Sequence, residues 1–307
     1  MNLVTGGLGF IGNELVRQLK STGQPVAILD NRNRVAPDIE DIADVPLYEA
    51  DITDRAAVRA VMAEVKPHRV FHLAAIHFIP ECNANPGRTL RVNVEGTQTI
   101  LDEAGQAGVE HVLFASSGAV YADSPDPLTE TSPVQPVDIY GWSKSMGEDL
   151  CRWHAASRGL PITVCRFFNN IGPRETNLHI VPEILFQLRT GRALKLGTLT
   201  TVRDYITTAD TARALIRLAP MCPSPIRVVN IATGHGASVQ DLVNLLSELL
   251  GDPIAIELDM ARVRKADKQI QVADMALLRG LLDWAPSTGL RDALAALLRY
   301  EELAPHC

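Results

Sequence analysis

Eight residues near the start constrain this chain more than any others: Thr5-Gly6-Gly7-Leu8-Gly9-Phe10-Ile11-Gly12. They follow a candidate strand at 3–5 and open a candidate helix at 10–22. In such a strand–turn–helix one glycine permits the tight turn, another lets the backbone approach a pyrophosphate, and another lets helix and strand pack closely. The free N–H groups and positive end of the helix then face the phosphates. Gly6, Gly9, Phe10 and Ile11 are therefore candidate cofactor contacts. Asp30 closes the next strand, 18 residues past Gly12. A carboxylate there accepts hydrogen bonds from the adenosine ribose and repels a 2′-phosphate, which selects NAD. Asn31 beside it is a further cofactor candidate, while Arg32 and Arg34 keep a pairing with a 2′-phosphate in view. Asp51-Ile52, at the end of the third strand, either reaches the adenine edge or is a plain strand end.

A turn of this kind belongs in a parallel sheet, and the chain continues in that style. Short apolar runs at 25–30, 46–51, 69–75, 111–117, 162–168 and 227–232 alternate with helical stretches at 54–65, 87–107 and 138–158. Continuous apolar strands separated by helices indicate an α/β fold, a doubly wound parallel Rossmann sheet covered on both faces. At 307 residues there is room for a second, smaller lobe. From Gly172 the rhythm breaks: a helix is expected at 180–190 and a strand at 193–196. Segments 210–219 and 227–232 then read as a return to the sheet, followed by helices at 238–250 and 290–300 around an irregular stretch at 262–274. The expected division is a dinucleotide-binding domain of 1–171 and 204–235, with a discontinuous C-terminal lobe of 172–203 and 236–307.

A formal charge of −7 disfavours nucleic acid and anionic membrane surfaces as partners. Five cysteines without C-x-x-C spacing suit neither a disulfide framework nor a zinc site. No metal is expected. With no charged-then-apolar leader and no apolar run that spans a bilayer, a cytoplasmic protein is expected.

Tyr140-Gly141-Trp142-Ser143-Lys144 carries the chemistry. Residues four apart share a helix face, so Lys144 holds positive charge near the Tyr140 phenol, as does the nicotinamide ring of NAD⁺. Free tyrosine titrates near ~10, and acting as a base near neutrality requires roughly 4 kcal/mol of stabilisation of the phenolate. Ser117 ends an earlier strand, at the carboxyl edge where ligands bind in such sheets, and its hydroxyl can hold the reacting oxygen.

These motifs, with His72-Leu73-Ala74-Ala75, Asn93-Val94-Glu95-Gly96-Thr97, Arg166–Gly172 and Arg203-Asp204-Tyr205-Ile206, resemble the NAD-dependent epimerase/dehydratase family over nearly the whole chain. The resemblance implies transient oxidation of a nucleotide sugar, with Tyr140 taking the hydroxyl proton, Ser117 steadying the oxygen and Lys144 on the nicotinamide ribose. It also implies cofactor contacts at Leu73, Ala74, Ala75, His77 and Asn93. Dehydratases and decarboxylases of the family resemble one another in placing acids where this chain has Gly118 and Ala119, so a 4-epimerase is expected, most readily of a UDP-sugar. A dehydratase or keto-sugar reductase is the alternative. A redox-sensing regulator, the rival of another class, tends to lose the Tyr/Lys pair. His77 is either a structural histidine or a second acid/base near the sugar.

By the same resemblance Asn169 contacts the diphosphate region, Arg203 and Arg264 pair with the diphosphate, and Val181 and Leu196 border the base. Arg264-Lys265-Ala266-Asp267 departs from the family's Arg-Pro-Gly-Asp run, which keeps a solvated basic loop in view. The helices at 87–107 and 138–158 imply a homodimer joined by a four-helix bundle, or else simply cover the sheet of a monomer.

Overall fold

The computed structural model describes residues 1–223, 225–263 and 268–303. In chain order its strands are β1 (Asn2–Thr5), β2 (Val26–Asp30), β3 (Leu47–Glu49), β4 (Arg69–His72), β5 (His111–Ser117), β6 (Ile162–Phe167), β7 (Asn169–Ile171), β8 (Ala193–Leu196), β9 (Val202–Thr207), β10 (Ile226–Ile231), β11 (Gly236–Ser238), β12 (Ala255–Leu258) and β13 (Ile270–Gln271). Seven of them form one sheet in the order β10-β6-β5-β4-β1-β2-β3, and every pairing in it is parallel. The doubly wound parallel sheet expected from the sequence is the one observed. Strand order reverses at β1 beside β4, and crevices at such switch points, outside the carboxyl ends of the strands, are where ligands bind.

β1, β2 and β6 are buried along their whole length, because one core cluster covers each face of the sheet. The first contains Leu15, Leu19, Phe71 and Leu215, and the second Val58, Ile100, Phe114 and Ile162. A third cluster lies outside the sheet, where the helices Ile180–Leu188, Val239–Leu250 and Leu290–Tyr300 pack together through Leu185, Leu246 and Leu294. Residues Ala273, Met275 and Leu278 return to the first cluster, so the C-terminal part of the chain clasps the sheet.

Three elements depart from the sequence reading. The single helix expected at 87–107 is instead Pro86–Leu90, a π turn over Arg91–Glu95, and Gly96–Gln106. The π turn holds Asn93, whose amide is claimed by Ile76 and by Ser143. Segment 210–219 is not sheet. It lies mostly in the helix Thr208–Leu218, started by a Thr207 hydroxyl that accepts from Asp210 N–H, and it packs against Phe10–Ser21. The strands β7, β9 and β11, which the sequence reading leaves out, join β13 in a second small sheet. Asp204 on β9 is fully buried and accepts from the N–H groups of Thr233, Gly234 and Ala273.

Candidate active site

A cavity of about 1070 Å³ lies across the carboxyl edge of the sheet, between it and the C-terminal helices. The glycine turn contributes Gly6, Gly9, Phe10 and Ile11, the end of β2 contributes Asp30 and Asn31, and the segment after β3 contributes Asp51 and Ile52. Leu73, Ala74, Ala75 and His77 enter after β4, and Ser117, Tyr140 and Lys144 from the middle. Asn169, Val181, Leu196 and Arg203 face in from the other side. Asn93 does not line the cavity and Arg264 lies outside the described residues.

Two glycines of the turn have no room for a side chain. Gly6 has φ +71°, and a Cβ there would stand 2.8 Å from the Ala74 nitrogen. At Gly12 a Cβ would stand 2.0 Å from the Gly6 carbonyl oxygen. The backbone of the strand end and of the helix start are thus pressed together, leaving the helix N-terminus open to phosphate. The Asp30 carboxylate accepts from Leu8 N–H at 3.1 Å and Arg32 N–H at 2.7 Å. Burial pushes its pKa up against those two bonds, and its remaining lone pairs are available to a ribose. Asn31 donates to Asp51 at 2.9 Å, tying the second strand end to the third. Arg34, one of the two cations that kept a 2′-phosphate in view, turns instead to Asn177 Oδ1 at 2.7 Å and to Glu81.

Asp138 starts the helix Ile139–Arg158 by accepting from Gly141 N–H at 2.8 Å, which sets Tyr140 and Lys144 one turn apart on the cavity side. Burial drives the Tyr140 phenol well above its ordinary pKa, and the Ser117 hydroxyl pulls it back. Burial also lowers Lys144 to about 8. Its ammonium sits 5.9 Å from the centre of the Tyr140 ring and donates to Ala115 O at 2.7 Å. The protein alone therefore favours a protonated phenol, and the lysine charge is spent first on the β5 carbonyl.

Ser117 Oγ accepts from Ala119 N–H at 3.1 Å and caps the turn Gly118–Val120. That turn is held from the far end of the chain. Lys268 Nζ donates to Ala119 O at 2.8 Å and to Tyr121 O, and Gln271 Nε2 donates to Gly118 O at 2.8 Å.

Two of the family-like motif residues carry structure. His72 is buried between the hydroxyls of Thr5 (2.8 Å) and Thr97 (3.0 Å). Asn93 accepts from Ile76 N–H and donates to Ile76 O, each at 2.8 Å, and so holds the loop that carries His77. His77 is drawn down to about 3 by burial, then by His179, Lys144 and Arg34, so the near-neutral titration of a free imidazole is lost. Its Nε2 lies 3.1 Å from Asn177 Nδ2. Glu175, Asn177 and His179 also line the cavity and were missed from sequence. The one available signal was the density of polar side chains in Glu175-Thr176-Asn177-Leu178-His179, directly after Gly172-Pro173-Arg174.

The sequence profile of the NAD dependent epimerase/dehydratase family matches residues 2–232. A UDP-glucose 4-epimerase of Corynebacterium glutamicum is 34% identical, over 94% of this chain and 92% of its own length. The structure is similar to a Thermus thermophilus UDP-glucose 4-epimerase solved with NAD, with TM-score 0.88, 27% identity and 98% of both chains covered. It is also similar to a Thermotoga maritima UDP-glucose 4-epimerase solved with UDP-glucose, with TM-score 0.89, 29% identity and 98% and 99% of the two chains covered.

Proposed function

The chain belongs to the NAD-dependent epimerase/dehydratase family, and from that premise we propose that it is a nucleotide-sugar 4-epimerase using NAD, with a UDP-sugar as substrate. The observation that carries the choice of epimerisation is the turn Gly118-Ala119, which lines the cavity beside Ser117 and Tyr140 and bears no acid. Bound NAD supplies a hydride acceptor that can give back what it takes. Tyr140, ionised beside the positive charge of the oxidised nicotinamide, would take the proton of the sugar 4-hydroxyl and later return it, with Ser117 donating to the same oxygen. Lys144 orients the nicotinamide ribose from its anchor on Ala115 O. Asn169 and Arg203 take the diphosphate region, and Val181 and Leu196 border the base. The cavity would leave a 4-keto sugar room to present its other face.

The test uses UDP-glucose and UDP-galactose labelled with deuterium at C4. Product of unchanged mass that keeps the label is expected. A product lighter by one water would move the protein to the dehydratases. One observation favours that second reading: Glu175 lines the cavity, and burial raises its carboxyl to about 7.

Asp30 supports the choice of NAD. Replacing Asp30 by Ala is expected to weaken NAD binding by about tenfold or more, from the loss of charge-assisted hydrogen bonds worth ~1.5–3 kcal/mol, and to narrow the gap to NADP. Parallel titrations with the two cofactors check it, and undiminished NAD binding would remove Asp30 from the ribose.

We assign residues 1–171 and 204–235 to the dinucleotide-binding domain, and 172–203 and 236–307 to the substrate lobe. The third core cluster, which draws mainly on the latter segments, supports that division. A homodimer is supported by Trp142, Met146 and Trp153, which stand exposed on one face of Ile139–Arg158. Light scattering at micromolar concentration is the check, and the mass of a single 33.4 kDa chain would overturn it. No helix of the described residues is long and apolar enough to cross a membrane. Residence in the cytoplasm is supported by the free thiols of Cys82, Cys151, Cys165 and Cys222, and fractionation of the producing cell would check it.

A further inference from the structure

The loop after β4 and the segment after β7 bring together side chains for which epimerisation has no task. Among the described residues, His77, Glu175 and His179 each offer one ligand-grade atom, and these atoms all lie within 4.8 Å of one another. His77 comes from the loop after β4, and His179 is the residue immediately ahead of the helix Ile180–Leu188. The two imidazole rings stack at 5.6 Å with 28° between their planes. All three residues are half-buried and line the cavity.

Asn177 marks the polarity of the space between two of them. Arg34 Nη1 donates to its Oδ1 at 2.7 Å, which identifies the nitrogen end of the amide. That nitrogen lies 3.1 Å from His77 Nε2 and 3.4 Å from Glu175 Oε1. Both atoms are therefore acceptors turned on one electropositive group, with a lone pair on Nε2 of His77.

We propose that His77, Glu175 and His179 form a binding site for a divalent d-block cation, zinc in the first place, with the Asn177 amide withdrawing as the ion enters. Two imidazoles and one carboxylate suit zinc far better than magnesium or calcium, which prefer an all-oxygen shell. Bonds of about 2.0–2.2 Å at tetrahedral angles place ligand atoms roughly 3.4 Å apart, so the three side chains close by rotation rather than by moving the backbone. Three protein ligands leave a fourth position, and it faces the cavity, where water or a sugar hydroxyl completes the shell.

The experiment is a titration of chelator-stripped full-length protein with zinc alone by calorimetry, and with cobalt(II) alone by visible absorption. One equivalent of zinc should bind, and cobalt should give the strong visible bands of a four-coordinate ion. His77→Ala, His179→Ala and the isosteric Glu175→Gln should each weaken zinc binding by at least about tenfold, with circular dichroism reporting that each variant remains folded. If the alanine variants do not fold, Glu175→Gln with His179→Asn decides the matter. No binding by the parent protein overturns the proposal, and so does binding that survives the substitutions, which would mark a stray site such as the exposed thiol of Cys222. Because no sugar or turnover enters the titration, its failure leaves the epimerase reading standing, and the reverse also holds.

Discussion

Tyr140→Phe is expected to lower kcat by about 10²–10⁴-fold, the range that positioned proton transfer contributes, while leaving the fold and NAD binding in place. The substitution removes only the phenolic oxygen, whose pKa burial raises and which must lose its proton before it can take that of the sugar hydroxyl. Phenylalanine fills the same space, so packing against the cavity wall is kept. Ser117 remains to hold the sugar oxygen, but a hydroxyl serine has no comparable capacity to take the proton. At 1.36 kcal/mol per decade the loss corresponds to roughly 3–5 kcal/mol of transition-state stabilisation. Single-turnover formation of the reduced cofactor, followed at its absorbance band with UDP-glucose, measures it directly. Turnover at the parent rate would remove Tyr140 from the mechanism.

The second large effect is on stability and lies behind the site. Arg166 and Glu148 are 1% exposed each and meet as a fork, Nε to Oε1 at 2.8 Å and Nη2 to Oε2 at 2.7 Å. Ser116 donates to the same carboxylate at 2.6 Å, and the guanidinium lies 4.6 Å from the centre of the Tyr121 ring. Glu148→Ala leaves a buried guanidinium without its counter-charge and should cost about 3–5 kcal/mol. Removing Glu248 from its exposed pair with Arg291 should cost under about 1 kcal/mol, since solvent screens that pair. Urea unfolding of the two variants beside the parent gives the comparison. Equal midpoints for the two would show that the buried fork contributes no more than a surface pair. Both serine neighbours are thus used, Ser117 toward the cavity and Ser116 toward this fork.

What could be read from the sequence was what the chain does locally. The glycine turn, Asp30 at a strand end and the Tyr140–Lys144 spacing each depend on residues within a few turns of one another, and each faces the cavity as expected. Periodicity located the sheet strands for the same reason. The helix at 87–107 was misread because its interruption is caused from outside, by the hold of Asn93 on Ile76 and Ser143. β9 was missed because its pairing partners are three residues long or shorter and lie far apart in the chain. Spacing along a helix shows that Tyr140 and Lys144 share a face, but not that the ammonium also donates to Ala115 O. His179 and Glu175 joined His77 only through the fold, because 98 residues separate Glu175 from His77 in the chain.

The tether on the catalytic turn has a consequence for the order in which the protein is made. Lys268 and Gln271 reach carbonyls of Gly118, Ala119 and Tyr121 across separations of 147 to 153 residues. A nascent chain grown to residue 250 already holds the whole glycine turn, Ser117, Tyr140, Lys144 and six of the seven strands up to β6, together with β10. It still lacks both of those donors. All strands of the dinucleotide sheet are thus synthesised before the turn beside Tyr140 can be drawn into its final position, and residues made after 250 supply the fastening.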